Sequence, residues 1–446
     1  MGLKDVRRRL PVVDSLPVAD SRRLREPAAA GTVPTPRLAV WELTLACDLK
    51  CIHCGSRAGP RRPGELSTEE CLDVVHQLRE LGVGEVTILG GEAYLRHDFI
   101  LVIRAIRDAG MACTMTTGGR NLGRDRAEAM VEAGVSSVNV SIDGMESAHD
   151  HLRGVVGSWR SAFAAIAHLQ AAGAKVHVNT QINRRTMHDL PALLERLHAA
   201  GIRAWQLQIT APFGHAGDHP ELLLQPYMLL EVFEVLQDLV PRATELGIKL
   251  WPANNLGYFG PLEAKLRKLQ KRGAHYKGCV AGRYQIGIEA DGAVKGCPSL
   301  GGPENIGGNV REHSLREIWE RAEPLAYIRE RTEAELWGYC AECYYASVCR
   351  AGCTATAEPL LGRPGNNPFC HHRAQMLEAR GQRERIELQR KGSGEPFDHG
   401  LYRLIREPID ERERERPGAV HVEPPRVSRS VERMGVGRPV ELDEPS

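Results

Sequence analysis

Cysteine carries most of the chemical information in this chain. Twelve cysteines stand at positions 47, 51, 54, 71, 113, 279, 297, 340, 343, 349, 353 and 370, with a long empty stretch between 113 and 279. Thiols bunched in this way in an intracellular chain bind metal more often than they form disulfides. Cys47-Asp48-Leu49-Lys50-Cys51-Ile52-His53-Cys54 puts three of them in one short run. Each of the four irons in a [4Fe-4S] cluster wants a thiolate, so three cysteines leave one iron open to another ligand. A zinc site completed by a remote His or Cys is the alternative, although structural zinc favours paired CxxC knuckles over a CxxxCxxC triplet. Seven more cysteines, Cys279, Cys297, Cys340, Cys343, Cys349, Cys353 and Cys370, make a second region. A zinc ribbon is the competing reading there, but seven suits one closed and one open cluster better than any whole number of four-thiolate zinc sites. Cys71 and Cys113 fall in a helical and a strand pattern and are expected to be packing residues.

Other candidates surround the first group. Gly90-Gly91-Glu92 offers two residues that let a backbone approach a ligand closely, then a carboxylate able to pair with an ammonium group. Ser141 and Asp143 offer a hydroxyl and a carboxylate to ribose hydroxyls, and Arg153 offers a fork to a carboxylate. Asn179, Gln181 and Gln208 are polar positions in apolar strands, suited either to lining a pocket or to being satisfied core amides.

Elements that could position these residues follow from periodicity. Strands are expected over 38–45, 85–89, 112–116, 137–142, 175–182 and 204–209, and amphipathic helices over 68–81, 97–109, 124–133, 158–172 and 187–200. Strands alternating with helices imply an α/β fold, a parallel sheet curled into a partial (β/α)6 TIM-type barrel spanning 37–224. Chemistry in such folds sits at the C-terminal strand ends, where the candidates fall. A helical connector is expected over 225–278, with helices near 227–246 and 261–271, and a Cys-rich module over 279–378 that opens on a hairpin turning at Asp291-Gly292. Residues 1–36 read as a mobile arm. Residues 379–446 read as a charged, largely disordered tail with a short helix near 384–389, of which 381–446 are expected to be dispensable for cluster assembly.

Composition narrows the function classes. The 446 residues carry 58 Lys plus Arg against 57 Asp plus Glu, a formal net charge of +1, so no overall field draws nucleic acid or an anionic membrane. No apolar run approaches the length of a membrane span or a signal-peptide core, which points to a soluble cytoplasmic protein. Val6 stands where an N-terminal acylation signal would have Ser or Thr.

The CxxxCxΦC run resembles the radical S-adenosylmethionine (SAM) superfamily, with His53 at the position usually aromatic. The resemblance implies that the unique iron of a [4Fe-4S] cluster chelates the amino and carboxylate groups of SAM. An electron from the cluster then cleaves SAM to a 5′-deoxyadenosyl radical. It also implies that Gly90, Gly91 and Glu92 serve the SAM amino group, although Ala93-Tyr94 follows where the family often has Pro, and that Ser141, Asp143 and Arg153 serve ribose and carboxylate. The pattern Cys279-x12-Gly292-x4-Cys297, with Cys340-x2-Cys343-x5-Cys349-x3-Cys353 and Cys370, closely resembles the SPASM extension of these enzymes. That resemblance implies two auxiliary [4Fe-4S] clusters, one on Cys279, Cys297 and Cys353 and the other on Cys340, Cys343, Cys349 and Cys370.

Members of this subfamily mostly modify peptides or proteins. The expected substrate is therefore a ribosomally made precursor peptide, with a reductant such as flavodoxin or ferredoxin as electron donor. The short N-terminal arm is too small for a leader-binding winged-helix domain. Leader recognition then falls to the barrel and SPASM surface or to a separate leader-binding protein. A tetrapyrrole side-chain enzyme of a haem route and a sulfatase-maturase-like enzyme are the alternatives within the class. A non-catalytic iron-sulfur electron carrier is the alternative outside it, and it would not bind SAM.

Overall fold

The computed structural model describes Leu24, residues 33–267, Tyr276 and residues 278–409. The expected alternation is present: β1 (Leu38–Glu42), α1 (Thr68–Leu81), β2 (Glu85–Leu89), α2 (Phe99–Asp108), β3 (Ala112–Thr117), α3 (Arg124–Glu132), β4 (Ser137–Ser141), α4 (Glu146–Arg153), α5 (Ser158–Ala171), β5 (Lys175–Ile182), α6 (Leu190–Ala199) and β6 (Ala204–Ile209). Local signals explain these bounds. In α1 the Ser67 hydroxyl accepts from the Glu70 amide and the Glu70 carboxylate returns to Ser67, a capping box that starts the helix. Gly82, at φ +90°, ends it. Cys71, Val74, Val75, Leu78 and Leu81 form the buried stripe between.

The sheet is larger than the six strands expected. After α7 (His215–Asp218) and α8 (Leu229–Glu245), β7 (Lys249–Pro252) pairs parallel with β6. The connector is therefore part of the barrel. The helix expected over 261–271 is a single turn, Glu263–Leu266, and residues 268–275 lie outside the described residues. On the other side β8 (Gln285–Ile288) pairs parallel with β1, and β9 (Ala293–Lys295) and β10 (Ile306–Asn309) follow antiparallel. The order is β10-β9-β8-β1-β2-β3-β4-β5-β6-β7, an open ten-stranded sheet into which the Cys-rich module is spliced.

Alternate strand residues, among them Trp41, Ile88, Met115, Val178 and Trp205, pack into one core with helix residues such as Leu78, Ile103, Ile166 and Leu236. Cys71 and Cys113 lie in this core, as expected of packing thiols.

The tail departs from expectation. Residues 382–408 form a hairpin, β11 (Gln382–Arg390) and β12 (Leu401–Pro408), where disorder and a short helix were expected. Inward Ile386 and Tyr402 join the main core. Glu384 makes a buried two-pronged pair with Arg373, with Nε to Oε2 at 2.7 Å and Nη2 to Oε1 at 2.9 Å. Residues 410–446 lie outside the described residues. So does most of the expected N-terminal arm; within it Leu24 bridges to Ala322, and the Pro34 carbonyl accepts from Trp319 Nε1 at 2.8 Å. Among the described residues no helix is long and apolar enough to cross a membrane.

Candidate active site

The segment leaving β1 carries Cys47, Cys51 and Cys54 and is pinned to its neighbours by backbone. The Cys47 amide donates to Gly59 O at 2.9 Å, Lys50 N to Arg153 O at 3.0 Å and Ile52 N to Leu152 O at 2.9 Å. Gly154 allows this approach. It sits at φ +67°, and a Cβ there would lie 2.3 Å from Lys50 O. The three thiols are close enough for charge on one to oppose charge on the others. Burial pushes the Cys51 thiol up to about 12 against the opposing pull of Arg153, whose Nη1 lies 3.8 Å from the sulfur. Thiols raised in this way ionise at neutral pH only beside a strong positive charge such as bound iron.

Glu92 and Arg153 converge beside this loop. A Cβ on Gly118 would lie 2.8 Å from Glu92 Oε1 and 3.8 Å from Arg153 Nη1. Glu92 is buried and accepts from Thr117 Oγ1 at 2.5 Å and from the Gly118 amide at 2.6 Å. Burial raises its pKa to about 7 against those two hydrogen bonds. The backbone that Gly90 and Gly91 approach is the chain's own. Cβ atoms there would stand 2.3 Å from Thr44 O and Ala46 O respectively, so the glycines serve the loop that carries the cysteines. Thr117 and Gly118 were not singled out in the sequence, although Thr116-Thr117-Gly118-Gly119 at the end of β3 is the kind of signal that marks such a position.

Asp143, expected to serve ribose, is taken up by groups of the chain itself. It is fully buried (0 % exposed), and its Oδ2 accepts from Arg153 Nη2 at 2.5 Å and pairs with His53 Nε2 at 2.9 Å. Its Oδ1 accepts from the Gln181 amide at 2.9 Å. The Arg153 guanidinium, with the His53 hydrogen bond, holds its carboxyl well below the usual range despite burial. Asp143 therefore orients Arg153 and ties His53 of the cysteine loop to β4. His53 itself carries a contact that the cysteine pattern does not reveal. Ser141, buried, donates to Asn179 Oδ1 at 3.2 Å.

The seven remaining cysteines separate into two sets. Cys340, Cys343, Cys349 and Cys370 line one small cavity, together with Tyr258, Phe259, Tyr345 and Arg373. Cys279, Cys297 and Cys353 sit near one another at a different place, where burial pushes the Cys279 thiol up to about 11 and the Cys297 thiol up to about 12. Beside this second set Tyr258 Oη accepts from the Cys353 amide at 3.0 Å, and Tyr276 Oη donates to Asn254 Oδ1 at 2.9 Å. The Asn254 side chain faces the Cys279 and Cys353 sulfurs and favours their thiolates against burial. Grouped soft donors, three on the loop after β1, three beside Asn254 and four around the small cavity, suit iron-sulfur clusters.

Comparison with known proteins agrees with this arrangement. Residues 41–205 match the model of the radical SAM superfamily, and residues 279–344 match SPASM, an iron-sulfur cluster-binding domain. An AdoMet-dependent heme synthase of Methanosarcina barkeri is 30% identical over 350 residues, covering 76% of this chain and 97% of that one. Mycofactocin maturase MftC of Mycobacterium ulcerans is 30% identical over 352 residues, covering 75% and 88%. The fold is also that of Streptococcus suis SuiB bound to the precursor peptide SuiA, with a TM-score of 0.59 at 17% identity over 75% of each chain. The partial barrel, its three-cysteine loop and these matches together make the chain a member of the radical SAM superfamily carrying a SPASM extension.

Proposed function

We propose that this protein cleaves SAM reductively and abstracts hydrogen from a peptide, maturing a ribosomally made precursor. Bound together, the cluster and SAM supply the electron and the carbon radical; the chain supplies placement. In this reading Cys47, Cys51 and Cys54 hold the SAM-binding cluster, and Glu92 and Arg153 offer opposite charges to the amino and carboxylate groups of SAM. Gly90 and Gly91 let the loops meet, while Ser141 and Asp143 keep Arg153 and β5 in register. Cys279, Cys297 and Cys353 would hold one auxiliary cluster, and Cys340, Cys343, Cys349 and Cys370 the other. A flavodoxin or ferredoxin is the expected electron donor.

The face of the sheet opposite the helices carries the argument for a peptide. Ser141, Asn179 and Gln206 lie side by side across β4, β5 and β6, as do Gln181 and Gln208. Their neighbours Val178, Leu207 and Ile182 enter the core, so these polar side chains share the other face. Amides arranged in rows pair with peptide N–H and C=O groups. A flat macrocycle with carboxylates asks instead for apolar slabs and cations. The similarity to SuiB, solved with a precursor peptide, supports the same reading. A tetrapyrrole substrate is the second reading, favoured by the haem synthase similarity over 97% of that protein.

The test compares anaerobic, reduced enzyme given SAM with either a candidate precursor peptide or an iron porphyrin. A change in peptide mass matched by 5′-deoxyadenosine release is the expected result. Turnover of the porphyrin and not of any peptide would replace this reading with the second.

A further inference from the structure

The tip of the β11–β12 hairpin reaches the mouth of the barrel. Lys295 of β9 pairs with Gly287 of β8, which lies between the core residues Ile286 and Ile288. Lys295 therefore projects from the sheet face opposite the helices, where its Nζ meets Glu289 Oε1 at 2.6 Å. The ring of Phe397 covers this ammonium group, with Nζ 3.7 Å from the ring centroid. Its centroid is also 6.4 Å from that of Phe213, just beyond the end of β6. The tip thus spans the open side of the sheet from β9 to the end of β6. It also touches the cysteine loop: the Phe397 amide donates to Gly55 O at 3.1 Å, and Arg57 Nε donates to Asp398 Oδ1 at 2.7 Å. Opposite, a Cβ on Gly301 would lie 2.1 Å from Phe397 O, so the module leaves room for the tip and nothing more.

Phe397 is buried and sits at φ +56°. A bulky side chain keeps that left-handed backbone only where its surroundings over-determine it, and such strain clusters at functional sites. We propose that Phe397 is a positioning residue: carried in by the C-terminal hairpin, its ring closes the open side of the barrel beside the SAM-cluster loop, forming a wall of the reaction chamber and keeping water out. The inference rests on the radical SAM reading and is independent of which substrate is used.

The alternative is that the ring is only filler at a joint between modules. Phe397→Gly removes the ring while suiting the left-handed backbone, and Phe397→Asn, also tolerated there, is a second ring-less variant. Full-length protein is reconstituted anaerobically, and a water-soluble iron chelator is added without substrate. In both variants one cluster's share of the iron is expected to be stripped several-fold faster than in the wild type, with Phe397→Leu restoring slow release. Product formed per 5′-deoxyadenosine is expected to fall in parallel. Wild-type chelation rates in both ring-less variants would overturn the proposal. Because the chelation experiment contains no substrate, failure of the peptide reading leaves its outcome interpretable.

Discussion

Replacing Glu384 with Gln tests whether the C-terminal hairpin is a working part of the fold. The Arg373 and Glu384 side chains are each 2% exposed and joined by two hydrogen bonds. Arg373 also donates to Asn366 Oδ1 at 2.6 Å and lines the cavity shared by Cys340, Cys343, Cys349 and Cys370. Glu384→Gln keeps the size but removes the carboxylate that the buried Arg373 shares with the half-exposed Arg406, and breaking a buried pair from one side costs about 3–5 kcal/mol. At about 2–4 °C per kcal/mol, the Tm of the unit containing the pair should fall by at least about 6 °C. Differential scanning calorimetry on the anaerobic, reconstituted protein measures this, with iron counted on the same samples. The double replacement Arg373→Met/Glu384→Leu should recover part of the loss, because apolar groups of similar volume carry no desolvation cost. A Tm for Glu384→Gln within about 1 °C of wild type would refute the reasoning, since it would put the pair in the range of an ordinary surface substitution.

Four further outcomes are expected. A chain ending at Arg380 should assemble poorly and retain less iron than the full chain, because it lacks Glu384, Ile386, Tyr402 and Phe397; inductively coupled plasma mass spectrometry of the reconstituted protein reads this. Asp143→Asn should weaken SAM binding at least about tenfold, since the neutral amide no longer anchors Arg153 against its charge; titration calorimetry under anaerobic conditions checks it. Glu42→Gln should become progressively more heat-stable relative to wild type from pH 5 to pH 9. Burial raises the Glu42 pKa from 4.5 to about 8, so the folded state binds more protons than the unfolded state over that window and wild-type stability falls as pH rises. Reconstituted protein should hold about twelve iron and twelve sulfide per chain, as three clusters; stoichiometric zinc would overturn the auxiliary assignment, and about eight irons would leave the three-cysteine auxiliary site empty.

What could be read from the sequence was local. Amphipathic repeats with caps placed α1, β2, β5 and β6 at their observed bounds, because each is decided by residues a few positions apart. The cysteine spacing pointed to two separate metal regions because three thiols on a single loop need no long-range information. What depended on distant partners was not legible. The parallel pairing of β8 with β1 joins residues far apart in sequence, and the same hairpin pattern would have suited a separate module. In the tail, the alternation of Glu384, Ile386 and Leu388 against charged neighbours was a strand signal, but the density of charge suggested solvent. Glu384 is inward because Arg373 waits for it, and composition cannot express that. Asp143 was recognised as a polar group of the site, but its task of holding Arg153 and His53 became visible only when three separate segments met.

The central claim is that the loop of Cys47, Cys51 and Cys54 makes the SAM-cleaving centre and the seven cysteines of the Cys-rich module do not. Formation of 5′-deoxyadenosine by dithionite-reduced protein tests it most directly, measured in wild type, in Cys47→Ala/Cys51→Ala/Cys54→Ala and in Cys343→Ala, with circular dichroism confirming that each is folded. The account predicts release by the wild type, none by the triple variant and continued release, with little or no modified substrate, by Cys343→Ala. Release at the wild-type rate by a folded triple variant would contradict it.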